Sequence, residues 1–241
     1  MKIRDIDTLL IDSPGRKWTI VRVFTDEGLV GLGEATYSNK EPVVAAAVEH
    51  MKGELIGQDA ARIEYLWHQI YRLSSVSGIW RMAGPVWMSA LAGIDIALWD
   101  LKGKVAGLPL VDLLGGRCRD RVDMYTHFGG ATPADSAQMC RRLVEQGYTA
   151  LKSGARSRDS YRFDPYVDDG VPQETAAHLM ASIPNAAPME FVTGISWRDE
   201  ILTQPLRVEA GMLLLPDAPG LGIELDMDGV EKHRWRPGDP R

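Results

Sequence analysis

The sequence predicts an α+β region followed by the start of an α/β region that contains a parallel sheet. Two β-rich runs, 18–24 and 29–35, come before three segments with helical periodicity. From Asp120 the pattern changes to strand, helix and strand, which is typical of a parallel unit. A length of 241 residues and a hydrophobic content of 45% are ordinary for a folded globular protein.

The first predicted element is an antiparallel hairpin. Its two β-rich runs are joined by a short turn in which Asp26 and Gly28 suit a tight reversal of the chain. The preceding run, 1–11, can add a third strand and complete a meander, although its apolar alternation is weak.

Three helices are predicted next. Pro42 takes a first-turn position before residues 43–55, and Asp59 is suited to cap the second helix. The third helix follows Gly84 and is the clearest element, since its apolar residues recur at steps of four and three. These residues are Trp87, Leu91, Ile94, Leu98 and Leu101.

The α/β region is predicted from residues 122–127 as a strand, 132–146 as a helix and 148–152 as a second strand. Thr132 and Asp135 have the spacing of a capping box. The polar stretch that follows, 153–172, shows neither period and is predicted to be a loop. A short helix at 173–182, a strand at 188–192 and a tail of proline-broken apolar runs complete the chain.

Composition and charge exclude several classes of function. The net charge of −6 is spread along the chain, which argues against a nucleic-acid partner. No run approaches the roughly 20 apolar residues of a membrane span. Residues 1–11 lack the pattern of a secretory leader, so we expect a cytoplasmic protein. Cys118 and Cys140 are then expected to be buried free thiols, although their number alone also permits a disulfide.

One stretch resembles a known family. Residues 90–115, ALAGIDIALWDLKGKVAGLPLVDLLG, resemble the signature of the mandelate racemase and muconate lactonizing group of the enolase superfamily. The segments DEGLVGLGEA, LIGQD, GGRCRDRV and WRDEILTQPLRVEAGMLLLPDAPGLGIELD resemble the same group. Within it, the combination is most similar to acid-sugar dehydratases of the galactonate and mannonate type.

The resemblance implies an α+β capping domain followed by an incomplete α/β (TIM-type) barrel. The implied bounds are 1–118 for the capping domain, 119–200 for a partial barrel and 201–241 for a segment that returns to the capping domain. The barrel is expected to be incomplete because a TIM barrel takes about 250 residues, and about half as many follow Gly115. The resemblance also implies Mg²⁺, a small sugar-acid substrate and a homo-oligomer.

In that family, the metal and nearby lysines stabilise the enediolate that forms when a base removes the proton next to a carboxylate. Lys152 matches the first lysine of the K-x-K motif that ends the second barrel strand, so it is the candidate catalytic residue. The second lysine of that motif is replaced by Gly154. Metal ligands should end the third, fourth and fifth barrel strands, and we find no counterparts for them in the sequence.

Four further residues are candidates for substrate binding. Glu190, in IPNAAPMEF, resembles the eighth-strand glutamate that contacts substrate in relatives. His127 ends the predicted first barrel strand, where barrel active sites gather. Trp80 and Arg81 lie in a stretch that resembles a specificity loop.

Each candidate also has a structural interpretation. Lys152 can be a solvated surface charge, and Glu190 can be a charge at an open sheet edge. Asp95 and Asp100 are expected to form salt bridges or caps, because five residues of separation place them on different sides of a helix. An acidic cluster in the loop is more typical of solvated side chains than of a metal site. Its members are Asp164, Asp168 and Asp169.

Two functions follow from the sequence. The first is a Mg²⁺-dependent acid-sugar dehydratase, a lyase, whose activity is impaired because the metal-ligand strands are missing. The second is a non-catalytic truncated family member that acts as an assembly or binding subunit. A third interpretation is that the chain joins two parts of a longer parent near residues 153–172.

Overall fold

The N-terminal part is a three-stranded antiparallel sheet covered by three helices. The computed structural model describes residues 1–13, 16–37, 39–73, 84–153, 173–193, 195 and 197–236. The sheet has the order β1 (Ile3–Ser13), β2 (Arg16–Thr25) and β3 (Val30–Glu34), which confirms the predicted meander. The pairing register is irregular between Ile3 and Asp5. The apolar alternation of the first run is weak because Leu9, Leu10 and Ile11 are consecutive and all buried.

The predicted helices are confirmed as α1 (Glu41–Leu55), α2 (Ile63–Leu73) and α3 (Gly84–Ala106). Their apolar faces pack on the sheet and form the largest core of the described residues. Helix α3 approaches β3 so closely that a Cβ atom on Gly33 would overlap the carbonyl oxygen of Gly93. A Cβ atom on Gly31 would likewise overlap the carbonyl oxygen of Ala97, so Gly31 and Gly33 of DEGLVGLGEA serve helix packing.

Asp100 has the structural role that its position on α3 predicts. Its buried carboxylate accepts the backbone N–H of Leu32 at 2.9 Å and that of Leu221 at 2.8 Å. Lys104 forms an ion pair with it at 3.1 Å. One side chain thus joins β3, α3 and the C-terminal segment.

The barrel part begins after α4 (Leu110–Leu113). Its elements are β4 (Arg121–Phe128), α5 (Pro133–Glu145), β5 (Ala150–Ser153), α6 (Gln173–Ser182) and β6 (Met189–Glu190). Strand β4 pairs in parallel with β5 and with β6, so the parallel strands have the order β5-β4-β6. A complete TIM barrel has eight parallel strands, and the described residues supply three of them.

The elements of this region agree with the sequence prediction, except that one strand is shorter than predicted. The capping box of Thr132 and Asp135 is present at the start of α5. The strand predicted at 188–192 is shorter, since only Met189 and Glu190 pair as a strand, although the Phe191 N–H still donates to the Tyr125 carbonyl at 2.8 Å. This predicted strand is present as β6 and is the third parallel strand, next to β4.

The C-terminal segment contacts both parts of the chain. It contains a 3₁₀ turn (Arg198–Ile201), β7 (Val208–Glu209), β8 (Met212–Leu214) and α7 (Met227–His233). Strand β8 pairs antiparallel with the start of β4. A separate apolar cluster joins the capping sheet to this segment through Leu9, Ile11, Ile20, Trp197, Ile201, Leu202 and Val230. The domain bounds given above stay a prediction.

Both cysteines are free thiols, as the cytoplasmic interpretation predicts. The expectation that they fill buried positions is wrong, because Cys118 is exposed and lies beside the carbonyl oxygen of Ser182, and Cys140 is only partly buried. Among the helices that the structure describes, none has the length and apolar character needed to cross a membrane.

Candidate functional site

The candidate site lies at the carboxyl ends of the three parallel strands. Alternation along β4 sends Val122 and Met124 into an apolar core, so Tyr125 and His127 lie on the opposite face of the sheet. The register places Lys152 of β5 opposite His127, and Glu190 of β6 opposite Tyr125. Four polar side chains from three strands are thereby brought onto one face.

Glu190 is the centre of this cluster. Its Oε2 accepts the hydroxyl of Tyr125 and lies 3.7 Å from the Lys152 Nζ. Its Oε1 lies 2.9 Å from the His127 Nε2. That nitrogen is buried and has no partner with hydrogen-bond geometry among the described residues. One carboxylate is therefore in contact with a phenol, an imidazole and an ammonium group.

The cluster is open to solvent on one side. The exposed fraction of the side chain is 30% for Glu190, 38% for His127 and 58% for Lys152. These values exceed those of core side chains, yet Glu190 and His127 are still largely covered. Part of each of these three side chains is therefore accessible to a small polar molecule.

The Tyr125 hydroxyl is held in its protonated form. Its hydrogen bond to Glu190 raises the pKa of Tyr125 to about 12, and partial burial acts in the same direction. A phenol with this pKa is a hydrogen-bond donor throughout the physiological pH range. Glu190 is correspondingly an acceptor.

Arg198 fixes the chain that follows β6. This buried side chain stacks on the ring of Phe191, with 4.5 Å between the guanidinium carbon and the ring centroid. Its Nη1 also donates to the Val192 carbonyl at 3.3 Å. The residues after Glu190 are thereby anchored to the C-terminal segment.

The structure brings together three of the five residues that the sequence singles out. Lys152, Glu190 and His127 lie side by side, whereas Trp80 and Arg81 lie outside the described residues. The acidic cluster near 164–169 and the stretch 14–15 lie outside them as well. Glu190 does sit on an edge strand of the described sheet, but its carboxylate contacts three neighbours rather than solvent alone.

Sequence reasoning missed Tyr125. The signal was available, because Tyr125 precedes His127 by two residues on one strand and must share its face. Arg198 gave no comparable signal, since its contacts with the β6 chain depend on folding of the C-terminal segment.

The described residues do not fit a Mg²⁺ site. Magnesium takes oxygen ligands in near-octahedral geometry and uses one or more carboxylates. The cluster offers a single carboxylate, and both of its oxygens already contact Tyr125, His127 or Lys152. Over the part of the chain that the structure covers, no three His, Cys, Asp or Glu side chains are placed to share a metal ion.

Comparison with known families agrees with this architecture. Residues 13–115 match the mandelate racemase / muconate lactonizing enzyme N-terminal domain, and residues 166–229 match an enolase C-terminal domain-like family. Together these matches cover more than half of the chain. The chain belongs to the mandelate racemase/muconate lactonizing enzyme group of the enolase superfamily.

The most similar curated relatives include named acid-sugar dehydratases. The D-galactonate dehydratase family member ManD of Chromohalobacter salexigens is 45% identical over 153 residues, which is 63% of this chain and 36% of the relative. A D-mannonate dehydratase of a Sphingomonas species is 40% identical over 177 residues, which is 69% of this chain and 42% of the relative. This member of the group thus spans less than half the length of these relatives.

Solved structures support the fold class. A mandelate racemase/muconate lactonizing enzyme from Jannaschia superposes with a TM-score of 0.84 at 19% identity, over 100% of this chain and 99% of that one. An enolase from Pantoea ananatis with bound D-gluconate and Mg superposes with a TM-score of 0.79 at 21% identity, over 96% and 94%. The predicted α+β capping domain followed by an incomplete barrel is therefore confirmed.

Proposed function

We propose that this protein binds sugar acids through a partial dehydratase site and does not by itself catalyse the loss of water. The observation that carries the proposal is the cluster of Lys152, His127 and Glu190 on one open face at the carboxyl ends of three parallel strands. Its support from comparison is that relatives are named D-galactonate and D-mannonate dehydratases.

The chemistry of the cluster suits a sugar acid. Such a ligand has one carboxylate and several hydroxyl groups, so it needs a cation at one end and hydrogen-bond acceptors along its length. The Lys152 ammonium can pair with the carboxylate, because it is the most exposed group of the cluster. Glu190 and His127 can then exchange hydrogen bonds with the hydroxyl groups.

The described residues lack the set of metal ligands that the family reaction requires. They do not fit a Mg²⁺ site, and for this reason we propose binding without loss of water. A catalytic role for Lys152 stays a prediction, and we propose for it a role in binding the substrate carboxylate.

Calorimetric titration with D-mannonate, D-galactonate and D-gluconate tests binding, with and without MgCl₂. We expect saturable binding of at least one acid with a Kd of about 1 mM, because the charges that hold it are partly solvated. Lys152→Gln should weaken binding about five-fold or more. The matched control is Lys102→Gln. This variant removes an exposed lysine of α3, a helix that contributes no residue to the cluster.

A second assay tests the absence of turnover. Dehydration of these acids yields 2-keto-3-deoxy acids, which a carbonyl-specific reagent detects. Product formed above the protein-free blank with Mg²⁺ present would contradict the non-catalytic half of the proposal. A folded protein that binds none of the three acids would contradict the binding half.

A second candidate function is that of an assembly subunit. Strand β5 pairs only with β4 among the described strands, and the same is true of β6. Open strand edges present N–H and C=O groups that favour pairing with another chain. We therefore propose a homo-oligomer. Light scattering after size exclusion tests this, and a monomer at all concentrations with a single cooperative melt would argue against it.

A further inference from the structure

The Tyr125 hydroxyl is the one group of the described cluster to which the proposed function gives no role. We propose that Tyr125 is a positioning residue that orders the Glu190 carboxylate before a ligand arrives, so that Oε1 is presented beside His127 to a sugar hydroxyl. The inference deepens the proposed function and rests on it for the identity of the ligand.

The backbone already brings the two residues together. Tyr125 and Glu190 are register partners in the β4–β6 pair. The carbonyl of Tyr125 accepts the N–H of Phe191 at 2.8 Å, which holds the main chain directly after Glu190 close to β4. The phenol and the carboxylate are therefore placed side by side by two directly paired strands.

The phenol contacts two of the three predicted site groups. Its hydroxyl donates to the Glu190 Oε2. Its ring stacks on the imidazole of His127, with centroids 6.5 Å apart and planes inclined by 18°. Loss of the hydroxyl alone, in Tyr125→Phe, would keep this stacking and remove the tie to Glu190.

Ordering of Glu190 should matter for binding. A glutamate side chain has several rotatable bonds, and restricting them when a ligand binds costs conformational entropy. A donor that fixes one carboxylate oxygen in the free protein removes part of that cost from the binding step. Since Tyr125 occupies Oε2, the orientation of Oε1 toward His127 is set in advance.

The first test needs no ligand. Tyrosine labelled with ¹³C at Cζ is introduced into the whole chain, and the Tyr125 resonance is assigned by its loss in Tyr125→Phe. We expect Glu190→Gln to shift this resonance, because the charged acceptor of the hydroxyl is replaced by a neutral amide. Glu209→Gln, on the exposed strand β7, is the matched control and should leave it unchanged. An unchanged resonance in Glu190→Gln would overturn the proposal.

The second test is a double-mutant cycle on D-gluconate binding. Tyr125→Phe should raise the Kd about five-fold, and Glu190→Gln should raise it by at least as much. If Tyr125 acts through Glu190, the double variant should bind no more weakly than Glu190→Gln alone. Additive losses would overturn the proposal, because they would mean that Tyr125 contacts the ligand independently.

The two tests separate the inference from the proposed function. A wild-type protein that binds none of the sugar acids refutes the proposed function and with it the ligand part of the inference. The Cζ resonance then still decides whether Tyr125 positions Glu190. Near-ultraviolet circular dichroism of each variant checks folding. If Tyr125→Phe fails to fold, labelled tyrosine incorporated at position 125 alone assigns the resonance, and the Glu190→Gln spectrum then remains decisive.

Discussion

His178 of α6 accepts the backbone N–H of Val111 of α4 through its Nδ1 atom, at a distance of 3.2 Å. Because this nitrogen is an acceptor, the ring proton is on Nε2, which lies 3.1 Å from the Leu221 carbonyl and donates to it. The imidazole is fully buried. One neutral histidine thus ties the partial barrel to α4 and to the C-terminal segment.

This arrangement predicts a loss of stability in mild acid. Burial lowers the pKa of His178 from its usual value of 6.5, so the unfolded state binds a proton at a higher pH than the folded state does. The contribution of His178 is therefore fully present above pH 6.5 and falls as the pH drops toward the folded-state pKa. Urea unfolding at several pH values between 5 and 8 measures it.

The variant His178→Gln identifies the source of this pH dependence. We expect it to lower the free energy of unfolding at pH 7 by about 1–3 kcal/mol, since buried hydrogen bonds are lost. It should also flatten the dependence between pH 5 and 7. His68→Gln, at an exposed position of α2, is the control, and an equal flattening there would exclude His178 as the cause.

For Asp95 we expect a pH dependence of stability with the opposite sign. Burial, with a smaller effect from Glu64, raises the pKa of Asp95 from 3.8 to about 6. Between these values the folded state binds more protons than the unfolded state, so this group lowers stability as the pH rises from about 4 to 6. Asp95→Asn should add about 1–3 kcal/mol to the free energy of unfolding at pH 8.

The gain at Asp95 should be much smaller at pH 4, where the folded-state carboxyl is protonated and the unfolded-state carboxyl is partly protonated. Chemical denaturation of Asp95→Asn at pH 4 and pH 8 makes this comparison. Asp123→Asn, on the exposed side of β4, serves as control and should change stability equally little at both values. A gain at Asp95 that is the same at both pH values would show that ionisation is not its cause.

We expect the largest loss of stability from substitution of Asp100. Asp100→Ala removes the acceptor of the Leu32 and Leu221 N–H groups and leaves Lys104 without this partner. We expect a loss of about 3–5 kcal/mol in the free energy of unfolding, the usual cost of breaking a buried ion pair from one side. Asp100→Asn keeps one oxygen acceptor and should therefore lower the free energy of unfolding by a smaller amount. Equal losses in the two variants would show that packing, not hydrogen bonding, dominates.

The capping domain could be predicted from local pattern, and its deviations have local causes. The hairpin and helices α1 to α3 follow from turn residues and periodicity. In the C-terminal segment, by contrast, the β7–β8 hairpin was missed because strands of two and three residues give no measurable period. Its turn contains Ala210 and Gly211, both with positive φ, and alanine gives no sequence signal for that conformation.

The site could be predicted only in part. His127 and Lys152 follow from their places at the ends of predicted strands, and the family resemblance adds Glu190. That all three meet depends on the register of β4 with β6, and these strands are more than 60 residues apart in the chain. A single sequence carries no information on such pairing, so the contact between Tyr125 and Glu190 had to come from the structure.

The glycines of the capping domain give the last prediction. A Cβ atom at Gly33 of β3 would overlap the Gly93 carbonyl oxygen of α3, so both backbones would have to separate. Gly53 lies within α1, and a Cβ atom there would meet nothing within 4 Å. Gly33→Ala should therefore destabilise the protein by about 1–3 kcal/mol. Gly53→Ala should stabilise it by about 0.5–1 kcal/mol through helix propensity.

Thermal unfolding of the two alanine variants measures this difference with the same chemical change. Because Gly53→Ala adds the same methyl group to the same domain, it controls for any general effect of the substitution. A Gly33→Ala protein as stable as the wild type would mean that β3 and α3 can separate at little cost. Gly31 and Gly33 would then need an explanation other than close packing on α3.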